Sequence, residues 1–161
     1  MRVVVLADTH IRPGGRRRLP AAAYALLDRT DVVLHAGDVV DAALLDELTG
    51  FAPVHAVLGN NDHGLDLPET LELSLGGVPV AMIHDAGPPK GRPGRLRRRF
   101  PDAAVVVFGH SHIPRDEEGI GGQRLFNPGS PTDRRAQPHH TAGVLDLVDG
   151  RVTLHQIVLL D

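Results

Sequence analysis

Short, uninterrupted apolar runs alternate with amphipathic stretches along the first half of the chain. Val3 to Ala7 is a continuous apolar segment rich in valine, the pattern of a strand buried on both faces. The alanine- and leucine-rich stretch from Pro20 to Arg29 predicts a helix, and Asp31 to Ala36 a second buried strand. Asp41 to Leu48 predicts a second helix and Val54 to Leu58 a third strand. This βαβαβ order implies a mostly parallel sheet with right-handed crossovers.

Beyond residue 70 the pattern changes. Leu71 to Leu75 and Val78 to Ile83 flank Gly76-Gly77, which predicts a hairpin. Arg92 to Phe100 reads as a short basic helix and Ala103 to Phe108 as another buried strand. Gln123 to Phe126, Ala142 to Val148 and Arg151 to Leu159 read as antiparallel strands, with Asp149-Gly150 as a hairpin turn. A parallel half followed by an antiparallel half predicts two packed sheets with helices outside. The Gly/Pro stretch from Gly87 to Gly94 reads as a loop rather than a linker, so residues 1–161 are expected to form one domain.

The polar residues gather where the apolar runs stop. The first strand ends in Asp8-Thr9-His10, the second in Gly37-Asp38 and the third in Gly59-Asn60-Asn61-Asp62-His63. The hairpin strand ends in His84-Asp85, and the next strand in Gly109-His110-Ser111-His112. In open α/β sheets, ligands bind in the crevice beyond the C-terminal strand ends. Period-two spacing in Asp8-x-His10 and His110-x-His112 predicts that each pair shares one side of an extended segment.

Asp8, His10, Asp38, Asn60, His84, His110 and His112 are therefore expected to converge. Carboxylate, imidazole and amide oxygen suit manganese, iron, zinc and nickel alike, and manganese is the expected occupant. Seven ligands exceed one site but suit two divalent cations sharing a carboxylate, a centre that spans ~3.5–4 Å and clamps a phosphoryl group. Two divalent cations against Asp8 and Asp38 leave a positive residue for an anionic ester. One such Asp alone is more often a helix cap, and one such His a core residue. Those readings would have to hold independently at five strand ends.

Composition narrows the field. The chain has no cysteine, which excludes thiolate zinc sites, disulfides and cysteine nucleophiles. No apolar run approaches the ~20 residues of a membrane span, and neither a signal peptide nor a membrane partner is expected, so the cytoplasm is the expected location. A net charge of -3 argues against a surface built for nucleic acid, which is expected only as a substrate. Arginines nevertheless cluster at Arg16 to Arg18 and at Arg95 to Arg99. Such runs are usually solvated faces.

In order and spacing, Asp8-x-His10, Gly37-Asp38, Gly59-Asn60-Asn61-Asp62, His84 and Gly109-His110-Ser111-His112 resemble the calcineurin-like metallophosphoesterases. The closing Asn127-Pro128-Gly129-Ser130 is similar to that of the compact YfcE-type phosphodiesterases. The resemblance spans essentially the whole chain and implies a four-layer αββα sandwich of two mixed sheets flanked by helices. It implies that Asp8, His10 and His112 hold a first metal ion, and Asn60, His84 and His110 a second, with Asp38 bridging. The implied reaction is in-line attack of a metal-bound hydroxide on a small phosphate ester, with Asp38, Asn60 and His84 as catalytic residues.

Two departures stand out. Larger relatives carry a histidine after the ligand asparagine, where this chain has Asn61, and the usual His-Gly-His element is reduced to His84-Asp85-Ala86. Arg12, Asn61 and one of Arg134 and Arg135, Arg134 first, are the expected substrate contacts, and Asp85 an expected orienting group for His84 or another ligand. His35 is expected either in the core or beneath the site. Three functions compete: a phosphodiesterase, a phosphomonoesterase or nucleotide pyrophosphatase, and a protein-binding scaffold like the retromer subunit of this fold. Oligomeric state is left open.

Overall fold

Valine supplies three of the five residues of β1 (Arg2–Leu6), and its β-branched side chains suit a pleated surface packed on both faces. In the computed structural model, which describes residues 1–161, β1 is followed by α1 (Ala21–Leu27), β2 (Val32–His35), α2 (Ala42–Thr49) and β3 (Val54–Ala56). β1 pairs with β2 and β2 with β3, both in parallel, as the alternating pattern requires. Asp41 caps α2 by accepting a hydrogen bond from the Ala43 amide at 3.0 Å.

The hairpin of β4 (Thr70–Leu75) and β5 (Val78–Ile83) turns at Gly76-Gly77, whose φ angles of 56° and 78° require two left-handed residues in succession. Then come α3 (Arg92–Arg99), β6 (Val105–Val107), β7 (Arg115–Glu118), β8 (Arg124–Asn127), β9 (Thr141–Val148) and β10 (Arg151–Leu159). Two five-stranded sheets result, ordered β10-β9-β1-β2-β3 and β4-β5-β6-β8-β7.

The division between sheets does not follow the halves of the chain. β9 returns to pair antiparallel with β1, so the last hairpin completes the first sheet. The expectation that Gln123 to Phe126 belongs to an antiparallel region needs correction: β8 pairs parallel with β6 and antiparallel only with β7. β7 was not foreseen, because Arg115-Asp116-Glu117-Glu118 has no apolar position. As an edge strand it needs none on its outer side, and charge there discourages pairing with another chain.

Three apolar layers hold the sandwich together. Val3, Val5, Val32 and Leu34 of the first sheet face Val80, Met82, Val105, Val107 and Phe126 of the second. Val4, Leu6 and Val33 point the other way, onto Ala23 and Leu27 of α1 and Leu44 and Leu48 of α2. Ala81, Val106 and Leu125 meet Leu96 and Phe100 of α3 and its flank. Each fully buried Val or Leu contributes about 1.5–3 kcal/mol, so the alternating faces of β1 alone fix its register. The layer order is helix, sheet, sheet, helix.

Candidate metal centre

β1, β2 and β3 run parallel in one sheet and β5 and β6 in the other, and their C-terminal ends open on one crevice. There the expected ligands meet. His112 Nε2 lies 3.7 Å from Asp8 Oδ1 and 3.2 Å from His10 Nε2. His84 Nε2 and His110 Nδ1 lie 3.0 Å and 3.1 Å from Asn60 Oδ1. Asp38 Oδ2 stands between these groups, 3.3 Å from His10 Nε2 and 3.5 Å from His84 Nε2. Donor atoms of Asp8, His10 and His112, and of Asp8, Asp38 and His84, are mutually close enough to hold a cation.

The backbone that presents them is not extended, contrary to the period-two expectation. Asp8 and His10 have φ of 55° and 46°, and His110 and His112 have φ of 70° and 59°. Asp38, at φ 58°, is left-handed as well. Each such residue costs on the order of 1 kcal/mol, and Asp and His are among the few side chains that tolerate it. The chain turns tightly here, so both members of a pair are aimed inward within a two-residue step. Two glycines make room: a Cβ on Gly59 would lie 2.1 Å from the Asp38 amide nitrogen, and one on Gly37 2.6 Å from His84 Nδ1.

Hydrogen bonds fix which ring nitrogens face inward. His84 Nδ1 donates to the Ala36 carbonyl at 2.7 Å and His112 Nδ1 to the Asp133 carbonyl at 2.5 Å. Their Nε2 atoms are left pointing at carboxylates, an arrangement that needs a proton or a cation between them. Asp8 Oδ2 is buried without any hydrogen-bond partner. Fully buried, the Asp8 carboxyl is pushed up to about 7, chiefly by burial and further by Asp38, against the pull of His84 and the His110 amide. Burial opposes ionisation of Asp38 too, but hydrogen bonds from His84 and Asn61 hold it well below the usual carboxylate range. For His84, burial is likewise outweighed, by Asp38 and the Ala36 carbonyl, and its pKa is raised. Burial lowers His10 and His112. An orphaned carboxylate oxygen among inward-facing ring nitrogens fits divalent cations.

The surrounding shell contains residues whose roles the sequence did not reveal. Asp62 is buried, and its carboxylate accepts from the amides of Asp38, Val40 and Gly59 at 2.9, 2.7 and 2.8 Å. Ser130 Oγ donates to the Asp8 carbonyl at 2.8 Å, and Asn127 Nδ2 to the Gly109 carbonyl at 3.0 Å. The Asn-Pro-Gly-Ser turn thus ties together the loops after β1 and β6. His35, fully buried, accepts from the Gly37 amide through Nδ1 and donates from Nε2 to Thr9 Oγ1 at 3.1 Å, bridging two ligand loops from below. Burial keeps it neutral, with its pKa lowered to about 3.

Of the three expected substrate contacts, Arg12 lines a cleft that begins at His10. Asn61 is turned onto Asp38, donating from its backbone to Oδ1 at 2.9 Å and from Nδ2 to Oδ2 at 2.8 Å. Arg134 donates to the Gln137 carbonyl at 2.5 Å. It is the next residue, Arg135, whose charge acts on Asp8, His10 and His112. Asp85 does not orient His84: Oδ1 accepts from the Gly87 amide, and Oδ2 lies 4.0 Å from His110 Nε2. Two arginines of the basic helix are structural, since Arg92 holds the Gly87 carbonyl and Arg95 those of Ala86, Pro88 and Lys90.

A two-sheet sandwich with histidine, aspartate and asparagine at its seam carries a candidate metal centre, and the class follows from the family it matches. Residues 1–150 match the calcineurin-like phosphoesterase superfamily domain, and the chain belongs to that superfamily. It is 35% identical over 136 residues to a "Probable metallophosphoesterase" of Methanothermobacter thermautotrophicus, covering 82% of this chain and 78% of that one. A "Probable metallophosphoesterase" of Methanocaldococcus jannaschii is 35% identical over 135 residues, covering 82% and 69%. Among solved structures, wild-type Vps29 of Entamoeba histolytica complexed with zinc superposes with a TM-score of 0.78 at 24% identity, over 100% of both chains. That likeness concerns the fold. No helix of the structure is long and apolar enough to cross a membrane.

Proposed function

We propose that this protein is a cytoplasmic, dinuclear metal-dependent phosphodiesterase acting on small phosphate esters. One observation carries the reading: Asp38 Oδ2 is within 3.5 Å of a ring nitrogen from each of the two ligand groups, His10 on one side and His84 on the other. A single carboxylate oxygen shared in this way suits two cations, manganese first among them. Asp8, His10 and His112 would hold one, and Asn60, His84 and His110 the other.

Two bound cations would supply Lewis acidity toward the phosphoryl oxygens and a lowered pKa for water. The chain's own residues do the rest. The Ala36 and Asp133 carbonyls keep His84 and His112 in the tautomer that points Nε2 inward. Asn61 fixes the rotation of the Asp38 carboxylate through both of its oxygens. The left-handed loops hold these groups before the substrate arrives, so little reorganisation is left for the reaction.

The test is turnover of metal-reconstituted protein against mono-, di- and pyrophosphate esters sharing one chromogenic leaving group. Diester hydrolysis that follows manganese occupancy is the expected result. Activity confined to monoesters would replace the phosphodiesterase reading, and metal binding without turnover would favour a binding scaffold.

A further inference from the structure

Between β1 and α1 the chain folds back at Arg12-Pro13-Gly14-Gly15. The Gly15 amide donates to the Arg12 carbonyl at 3.0 Å, Pro13 is second, and Gly14 is third with φ of 69°, the requirements of a type II turn. The turn sets Arg12 and Arg16 on opposite arms of one loop. Both line a cleft of about 520 Å³ together with Arg17, Asp133 and, at its inner end, His10. No hydrophobic side chain contributes to its wall.

The charges in this cleft do not balance. Arg17 Nη1 lies 3.5 Å from Asp133 Oδ2 and also donates to the His10 carbonyl at 3.3 Å, so these two charges offset each other. Arg18 is spent on the backbone, donating to the Gly15 and Arg17 carbonyls. The guanidinium groups of Arg12 and Arg16 line the cleft with neither a hydrogen bond nor an ion pair, two unmatched charges beside a metal-ligand candidate. A concave wall with an excess of positive charge concentrates the field where a substrate must approach. The cleft on the His110 side differs: about 380 Å³, it includes Pro88, Pro89, Phe108 and Ile113 and suits an organic group.

We propose that the cleft of Arg12, Arg16 and Arg17 is an anion subsite for a phosphate beyond the scissile one. The preferred substrates are then diesters with one arm ending in a further phosphate, whose oxygens match the planar fork of guanidinium. The substrate class rests on the phosphodiesterase reading of the adjoining centre; the affinity for an anion rests on the cleft alone.

Two measurements separate these supports. In the first, two p-nitrophenyl diesters of thymidine 5′-phosphate are compared, one carrying an added 3′-phosphate. The wild type is expected to favour the phosphorylated ester by about tenfold in kcat/KM, and Arg12→Gln/Arg16→Gln to lose most of that ratio. In the second, inorganic tripolyphosphate is titrated calorimetrically into chelated protein at low salt. Binding should weaken about tenfold in the double variant and fall with added salt. Arg16→Gln alone, at an exposed position, gives a smaller loss in a protein of unchanged fold. Equal tripolyphosphate binding by wild type and variants, or none by either, overturns the subsite, as does an unchanged diester ratio. Tripolyphosphate binding that depends on these arginines, with neither diester hydrolysed, upholds the subsite and overturns the phosphodiesterase reading instead.

Discussion

The carboxylate of Asp62 holds the backbone of Asp38: Oδ2 accepts from the Asp38 amide at 2.9 Å while also accepting from Gly59 at 2.8 Å. With Val40 on Oδ1, one buried side chain satisfies three amides of two ligand loops. In Asp62→Asn, the Nδ2 group would face amides that need an acceptor. Hydrogen bonds to a charged acceptor contribute about 1.5–3 kcal/mol each. A loss of about 3 kcal/mol should lower Tm by roughly 6–12 °C, read by calorimetry. Metal affinity should fall as well, because Asp38 and Asn60 lose their common anchor. Unchanged Tm and affinity would remove Asp62 from this role.

Asp38 itself should be indispensable. Asp38→Asn keeps the shape but removes the charge that faces both His10 and His84. Turnover should drop by about a hundredfold or more, the scale associated with losing a preorganised electrostatic group. Metal content by elemental analysis should fall below two per chain. Wild-type turnover with both metals retained would refute a shared carboxylate.

The raised pKa of Asp8 makes a signed prediction for the metal-free protein. Its folded pKa of about 7 exceeds the unfolded value, so its contribution to stability is present at low pH and is lost as pH rises toward 7. Buried His35, lowered to about 3, works in the opposite direction between pH 3 and 6.5, so the pH profile of a single protein would mix the two. Comparison with Asp8→Asn isolates the carboxylate. The variant should match wild type near pH 4 and be more stable by up to about 4 kcal/mol above pH 7. Metal should narrow the gap, since saturation a hundredfold over Kd adds about 2.7 kcal/mol to the wild type, which the variant lacks. Chemical denaturation from pH 4 to 8, with chelator and with manganese, checks both halves.

Asn61 sets the last expectation. No imidazole follows Asn60, and the Asn61 amide is engaged with Asp38, so this position supplies no proton to a leaving oxygen. General acid catalysis is typically worth about 10²–10⁴-fold and matters most for leaving groups of high pKa. Rates across aryl and alkyl diesters should therefore depend steeply on leaving-group pKa, and Asn61→His should flatten the slope. A shallow slope in the wild type would point to another donor.

Why some of this was legible in the sequence is a matter of range. The ends of β1, β2, β3, β5 and β6 could be read because each apolar run gives way at once to Asp, Asn or His, and several of these are buried, where a polar group needs a partner. The left-handed backbone of Asp8, His10, His110 and His112 could not, since spacing carries no sign of φ. The charged edge strand β7 offered no hydrophobic period, and the return of β9 to β1 is a pairing across more than a hundred residues. Asp62 and Ser130 stand in motifs that could be recognised, but their roles could not: both act on main-chain groups, which every residue possesses.

Asp8, His10, Asp38 and Asn60 follow strands of one sheet, while His84, His110 and His112 follow strands of the other. Cations held among them would rivet two layers otherwise joined by nondirectional apolar contact, which resists separation but hardly resists sliding. The centre is therefore the most shear-sensitive part of the molecule. A substitution at the Val5, Val80 or Phe126 interface can spoil catalysis by shifting one sheet over its neighbour by about an ångström, with the fold intact.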